Sequence, residues 1–322
     1  MCLSLTYLAG ITIEARLRVA VVGGCGAAGS VMVAALRLGG AEVDIIDRGT
    51  RGCETRELLV KGLWRGPVKV CGWDSVRGPY DVAMLFTKSY DASGALEGAL
   101  RLEPRLLVSP HNGLGALELL EGRVGSRAAG MVLYYGSTRT SKCSSIYTGG
   151  RRVVIGCRTG CDPELLSQLS TIIKAGGLDA EVVNPKDFDS ERWLKLAVNS
   201  AINPVTALSW DKNGVIAKDL PAAQLAGDLA RETGLVAEGL GIELAEDPVE
   251  ATMRTARETA ENCSSTVQDL AAGRDTELRY INLAVWEESL KTASRAVINL
   301  TAYRAVEVAS RWLRGRRSPC AR

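Results

Sequence analysis

Apolar positions change rhythm along this chain, and the change divides it in two. Arg18-Val19-Ala20-Val21-Val22 is a short unbroken apolar run, as in a strand buried on both faces of a parallel sheet. Glycines follow at 23, 24, 26 and 29, and Val31 to Leu38 then has helical spacing that closes on Gly39-Gly40. A second run, Val43-Asp44-Ile45-Ile46, ends at Asp47-Arg48. Further strand-like runs lie at Val68–Val70, Val82–Phe86, Leu106–Val108 and Met131–Tyr135, with helical patterns at Ala92–Leu100 and Leu114–Leu120 between the later ones. Residues 145–156 read as a hairpin turning at Gly149-Gly150. From Ser190 to Trp312 the pattern is almost wholly helical, with start signals at Asp247-Pro248 and Asp275-Thr276.

Alternating strands and helices followed by helices alone predict an α/β Rossmann-type doubly wound sheet and then an all-helical C-terminal domain. The expected boundaries are an N-terminal extension at 1–17, a dinucleotide-binding domain at 18–186 and a helical substrate-binding domain at 187–322. The arginine-rich tail from Arg311 to Arg322 reads as a frayed, solvated end.

Composition narrows the function. A net charge of +2 with 24% charged residues gives no basic surface for nucleic acid. No apolar stretch reaches the roughly 20 residues of a membrane span, and no basic region precedes the mildly apolar start. A cytoplasmic protein is therefore expected. Nine cysteines without a Cys-x-x-Cys pair argue against both a disulfide framework and structural zinc, which leaves most of them as buried small hydrophobes. A single histidine, His111, excludes multi-histidine metal sites, and no metal is expected. A homodimer is compatible with the sequence but not required by it.

Gly24-Cys25-Gly26-Ala27-Ala28-Gly29 matches G-x-G-x-x-G between a buried strand and a helix. There the loop can approach a pyrophosphate while unpaired N–H groups of the helix face it. At the end of the second run, Asp47 would accept from a ribose 2′-hydroxyl and favour NAD(H), whereas Arg48 would pair with a 2′-phosphate and favour NADP(H).

Lys195, Asn199 and Asn203 stand at i, i+4 and i+8 on an otherwise apolar helix, so they share one face. Pro204 should kink or end that helix. Reduction of a ketone by hydride needs a proton for the developing alkoxide. Without a suitable histidine, a desolvated lysine is the natural donor. Ser264-Ser265 with Gln268 reads either as substrate-binding hydroxyls or as a capping box from Ser265. Glu277 is either a functional carboxylate or one that favours a helix dipole. Thr87-Lys88 and His111-Asn112-Gly113 follow parallel strands and so fall in the ligand-binding crevice, with His111 structural or at the cofactor edge.

Together the glycine loop, Thr87-Lys88, His111-Asn112-Gly113, Lys195–Leu208, Ser264-Ser265 with Gln268-Asp269, and Glu277 to Asn282 resemble ketopantoate reductases in order and spacing, over about residues 18 to 300. The resemblance implies reduction of ketopantoate to pantoate by NAD(P)H in an interdomain cleft. By that analogy Lys195 is the general acid, and Glu277 binds substrate or orients Lys195. Asn112, Asn199, Asn203 and Ser265 form the substrate pocket, and Lys88 and Asn112 border the cofactor. Arg48 takes the family's 2′-phosphate position, which favours NADP(H) over NAD(H). Two departures are Leu283, where the family usually has glycine, and the missing proline before Asn299. The alternatives are a related reductase of another branched 2-oxo acid and a non-catalytic dinucleotide sensor.

Overall fold

A computed structural model describes residues 16–321, so most of the expected N-terminal extension lies outside the described residues. The first half runs β1 (Arg18–Val22), α1 (Ala27–Leu38), β2 (Glu42–Ile46), β3 (Cys53–Lys61), β4 (Trp64–Cys71), β5 (Val82–Leu85), α2 (Ala92–Leu100), β6 (Leu106–Ser109), α3 (Ala116–Val124), β7 (Ala128–Ser141), β8 (Ser144–Gly156), α4 (Pro163–Ala175) and β9 (Asp179–Val182). The rest is helical: α5 (Pro185–Ser209), α6 (Val215–Lys218), α7 (Leu220–Gly239), α8 (Pro248–Glu258), α9 (Ser265–Ala271), α10 (Ala284–Ser289) and α11 (Val297–Leu313).

Buried strands with side chains alternating between two faces explain the layers. Val19 and Val21 pack with α1 and α4 in one core, while Ala20 and Val22 pack with α2 in another. Strands β2, β1, β5 and β6 are parallel neighbours, so the loops after them meet along one edge. The sheet nevertheless differs from the expected open doubly wound one. Its order is β3-β4-β2-β1-β5-β6-β7-β8-β9, and β3 also pairs with β8, closing eight of the strands into a ring. The predicted hairpin at 145–156 is instead one strand. The turn sits at Lys142-Cys143, and Gly149-Gly150 form an irregularity within β8.

The cysteine expectation is overturned. Cys25–Cys143, Cys53–Cys71, Cys157–Cys161 and Cys263–Cys320 are disulfides. Spacing concealed them because three of the pairs join residues brought together by the sheet and the helical core. The C-terminal tail is likewise fastened rather than frayed. Besides Cys320, the Gly315 N–H donates to the Leu270 carbonyl at 2.8 Å and Arg314 pairs with Asp275 at 2.6 Å.

Helix α5 connects the two halves. Asn184 caps it, accepting the Asp187 N–H at 3.0 Å, and Pro185 occupies its first turn. Phe188, 1% exposed, enters the sheet face between Leu117, Val132 and Val154. Gly130 and Gly156 admit it, since a Cβ on either would collide with its ring. Burying that ring contributes about 2–3 kcal/mol and sets where the later turns of α5 stand. Of the two outcomes expected at Pro204, a kink or an end, the end does not occur, because the helix continues to Ser209. Proline leaves the Ser200 carbonyl without its helical donor, and the side-chain amide of Asn282 replaces it at 2.8 Å.

Candidate active site

Four loops converge at the carboxyl ends of β1, β2, β5 and β6. After β1, the glycine loop leads into α1, whose start has neither a capping side chain nor an acidic residue in its first turn. The N–H groups there remain available to an anion. A Cβ at Gly29 would stand 2.7 Å from the Gly23 carbonyl oxygen and 3.1 Å from Cβ of Phe86, so only glycine permits this closeness of helix and strands. The cradle thus fits the pyrophosphate of a dinucleotide. Gly24, Cys25, Gly26, Ala27, Ala28 and Gly29 form that loop and first turn, with the Gly24 and Gly26 N–H groups donating to the Val21 and Gly23 carbonyls and the Cys25 side chain buried in its disulfide.

After β2, Asp47 is already engaged. Its Oδ2 accepts from Thr50 Oγ1 at 2.8 Å and Lys142 Nζ at 2.7 Å. Burial opposes its charge, but these donors hold its carboxyl below the ordinary range. Arg48 points largely to solvent, with one 3.4 Å contact to Asp91.

After β5, Lys88 binds Asp269 at 2.6 Å and Glu277 at 2.8 Å. The other oxygen of Glu277 accepts from both the N–H (2.9 Å) and hydroxyl (2.8 Å) of Ser89. Burial disfavours the charges of Lys88 and Glu277, but their pairing wins, raising the Lys88 pKa and lowering that of Glu277. Asp269 is pushed up, because burial and the nearby Glu277 outweigh its cationic partners. The cluster joins the α/β half to the helical half. Glu277 therefore orients Lys88, and among the described residues no hydrogen bond or ion pair links it to Lys195. Asp275-Thr276 and Glu277 stand just before a helical segment, as expected, which begins as a π-helical turn at Arg279–Leu283 and runs on into α10.

After β6, His111 is held at both ring nitrogens, by Ser109 Oγ at 3.0 Å and Thr87 Oγ1 at 3.3 Å. Burial pushes its pKa down to about 4, so the ring is neutral. Gly113 has φ +85° and abuts the Tyr280 carbonyl, to which the Leu114 N–H donates at 2.8 Å. Arg192 fastens the same loop from α5, donating to the Gly113 carbonyl at 3.2 Å and to Glu118 at 2.6 Å. Arg192 was not singled out from sequence, where it is one arginine among many.

Lys195 faces this loop two turns beyond Phe188. It shares with His111, Asn112 and Arg192 the wall of a recess of about 20 Å³, room for little more than a water. Among the described residues it makes no ion pair, and its ammonium lies 5.0 Å from the centre of the Tyr134 ring. Burial pulls its pKa down to about 8. Asn199 is half-buried one turn on, and Asn203 is buried. Ser265 is exposed. The cap of α9 is Ser264, whose Oγ accepts the Val267 N–H at 3.3 Å, while Gln268 donates to the Cys263 carbonyl. A larger hollow of about 550 Å³ lies away from these loops, between the end of α7 and the start of α8. Among the described residues no cluster of three or more metal-ligating side chains occurs, and no helix is long and apolar enough to cross a membrane.

Comparison with known proteins agrees with the two-part architecture. Residues 19–160 match the family described as ketopantoate reductase PanE/ApbA, and residues 187–309 match its C-terminal part. A 2-dehydropantoate 2-reductase from Archaeoglobus fulgidus is 29% identical over 280 residues, covering 86% of this chain and 93% of that protein. In fold, a 2-dehydropantoate 2-reductase from Geobacter metallireducens superposes with a TM-score of 0.78 at 23% identity, covering 91% of this chain and all of that one. A D-mandelate dehydrogenase solved with NADH and anilino(oxo)acetate superposes equally, with a TM-score of 0.78 at 19% identity, over 92% of this chain and 99% of that one. Two family matches spanning both halves of the chain place it: the chain belongs to the ketopantoate reductase family.

Proposed function

We propose that this protein is a 2-dehydropantoate 2-reductase that uses NADPH in preference to NADH, with Lys195 as the proton donor. The observation that carries the mechanism is Lys195 itself. Its desolvated ammonium has no carboxylate partner among the described residues and stands beside Asn112, at the carboxyl ends of the strands whose glycine loop would hold the dinucleotide. When bound, the nicotinamide supplies hydride to the 2-oxo carbon. Lys195 then delivers its proton to the developing alkoxide, and a pKa near 8 suits a donor working near neutrality. Asn112 and Asn199 hold the oxo acid by neutral hydrogen bonds, which add no charge to a site that must keep an ammonium reactive.

The recess behind Lys195 is too small for a branched oxo acid, so the substrate lies on its outer side, where Asn199 stays partly exposed. Asn203 is a pocket wall, and Ser265 is assigned to substrate contact at the cleft mouth. Glu277 acts through Lys88, holding it beside the cofactor. Residues 18–186 form the dinucleotide-binding domain and 187–322 the substrate-binding one. Arg48 and the occupied state of Asp47 favour the 2′-phosphorylated cofactor.

The test follows absorbance loss from NADPH and from NADH with ketopantoate, with pyruvate and phenylglyoxylate as comparison substrates. Ketopantoate-dependent oxidation, more efficient than with either comparison substrate and faster with NADPH, is expected. Equal or better efficiency on the simple oxo acids would overturn the substrate assignment. A dinucleotide sensor would bind NADPH without consuming it.

A further inference from the structure

We infer that Lys142, at the tip of the β7–β8 hairpin, is a specificity-determining residue for the 2′-phosphate of the cofactor's adenosine ribose. The inference deepens the NADP(H) reading above and rests on it. An acidic residue at the end of β2 normally receives a ribose hydroxyl and repels a 2′-phosphate. Here Lys142 stands 2.7 Å from Asp47 and cancels that repulsion, while Arg48 is 84% exposed and, among the described residues, tied only by a 3.4 Å contact to Asp91. Arg56 adds positive potential at the same carboxylate. A 2′-phosphate, carrying nearly two negative charges, would thus find Lys142 and Arg48 beside it and a carboxylate already neutralised.

The placement of Lys142 is built, not incidental. Its neighbour Cys143 is buried, has φ +57° and is disulfide-bonded to Cys25 inside the glycine loop, 118 residues earlier. The Cys143 carbonyl accepts the Leu59 N–H at 3.0 Å, and Ser144 pairs with Leu59 along β3. The buried hydroxyls of Ser145 and Ser30, the latter on α1, meet at 2.7 Å. The turn is fastened to the loop, helix and strand that surround the adenosine end of the cradle. As a half-exposed ion pair, Lys142–Asp47 contributes little to stability, so a merely structural role predicts almost no effect when the lysine is removed.

Calorimetric binding of adenosine 2′,5′-bisphosphate and of 5′-AMP to the purified protein separates the possibilities without relying on turnover. Wild type is expected to prefer the bisphosphate. Lys142→Ala is expected to weaken it about tenfold, the size of one charge-assisted phosphate contact, and 5′-AMP less than about twofold. Lys142→Arg should retain the preference, and added salt should shrink it in wild type more than in Lys142→Ala. Cys143→Ser, which frees the turn but leaves the lysine, should shift the bisphosphate in the same direction by less. If wild type prefers the bisphosphate and Lys142→Ala keeps that preference, or weakens both nucleotides equally, the role of Lys142 is wrong while the NADP(H) reading stands. If wild type binds both equally, that reading fails and the inference falls with it.

Discussion

In the proposed mechanism Lys195 is the proton donor, and its surroundings make a pH prediction with a definite sign. The proton donor must carry its proton, and burial has drawn its pKa to about 8, so turnover should fall as pH rises through that value. Lys195→Met should remove this alkaline limb and cost about 10²–10⁴ in kcat while leaving dinucleotide binding intact. Tyr134 refines the prediction. Its ring faces the ammonium at 5.0 Å, and its hydroxyl is held by Glu191 at 2.7 Å. Such a contact favours the charged amine by about 0.5–1 kcal/mol, so Tyr134→Leu should move the limb down by about half a pH unit. Tyr134→Phe keeps the ring and should leave the limb in place. A pH–rate profile of the three variants checks this, and an unmoved limb in Lys195→Met would remove the lysine from the mechanism.

Helix α5 shows what its own pattern can and cannot announce. The shared face of Lys195, Asn199 and Asn203 follows from a spacing of four residues and was legible, whereas the cap at Asn184 and the start at Pro185 were not singled out. That the helix would run on past Pro204 was not legible, because the remedy for the proline comes from Asn282, 82 residues after Ser200, the residue whose carbonyl it satisfies. That pairing predicts coupling. Asn282→Ala alone leaves a buried carbonyl unpaired and should cost about 1–3 kcal/mol. With Pro204→Ala, the restored N–H can take the Ser200 carbonyl, and the second change should cost about 1 kcal/mol less. Denaturant melts of the four combinations give the cycle, and strict additivity would show that Asn282 does not substitute for the missing donor. The same reasoning explains the resemblance-bearing segment at Glu277 to Asn282. Its specificity reflects ties to Lys88, Ser89 and α5 that a helix start alone does not announce.

Across the whole molecule, long-range fastening is the dominant theme. The disulfides close loops with sequence separations of 118, 57, 18 and 4 residues. In the chain-entropy account the two longest are each worth about 4–5 kcal/mol against the unfolded state. Reducing conditions should therefore lower the denaturation midpoint. Alkylation of the unfolded, unreduced protein, read by mass, should leave these eight cysteines unmodified, and eight modified cysteines would refute the pairing. The Lys88–Asp269–Glu277 cluster fastens the two halves in the same long-range manner, across 189 residues between Lys88 and Glu277.

The order of α/β before helical structure, the glycine cradle, the lysine-bearing helix face and the loops bordering the cleft were all readable along the chain, because each is encoded in a period or motif a few residues long. The ring closure of the sheet, the three long-range disulfides, the binding of Glu277 to Lys88 instead of Lys195, and the arrival of Lys142 beside Asp47 were not readable. Each joins groups separated along the chain by up to 189 residues, and no local spacing encodes which distant partner the closed sheet and packed helices will bring within reach.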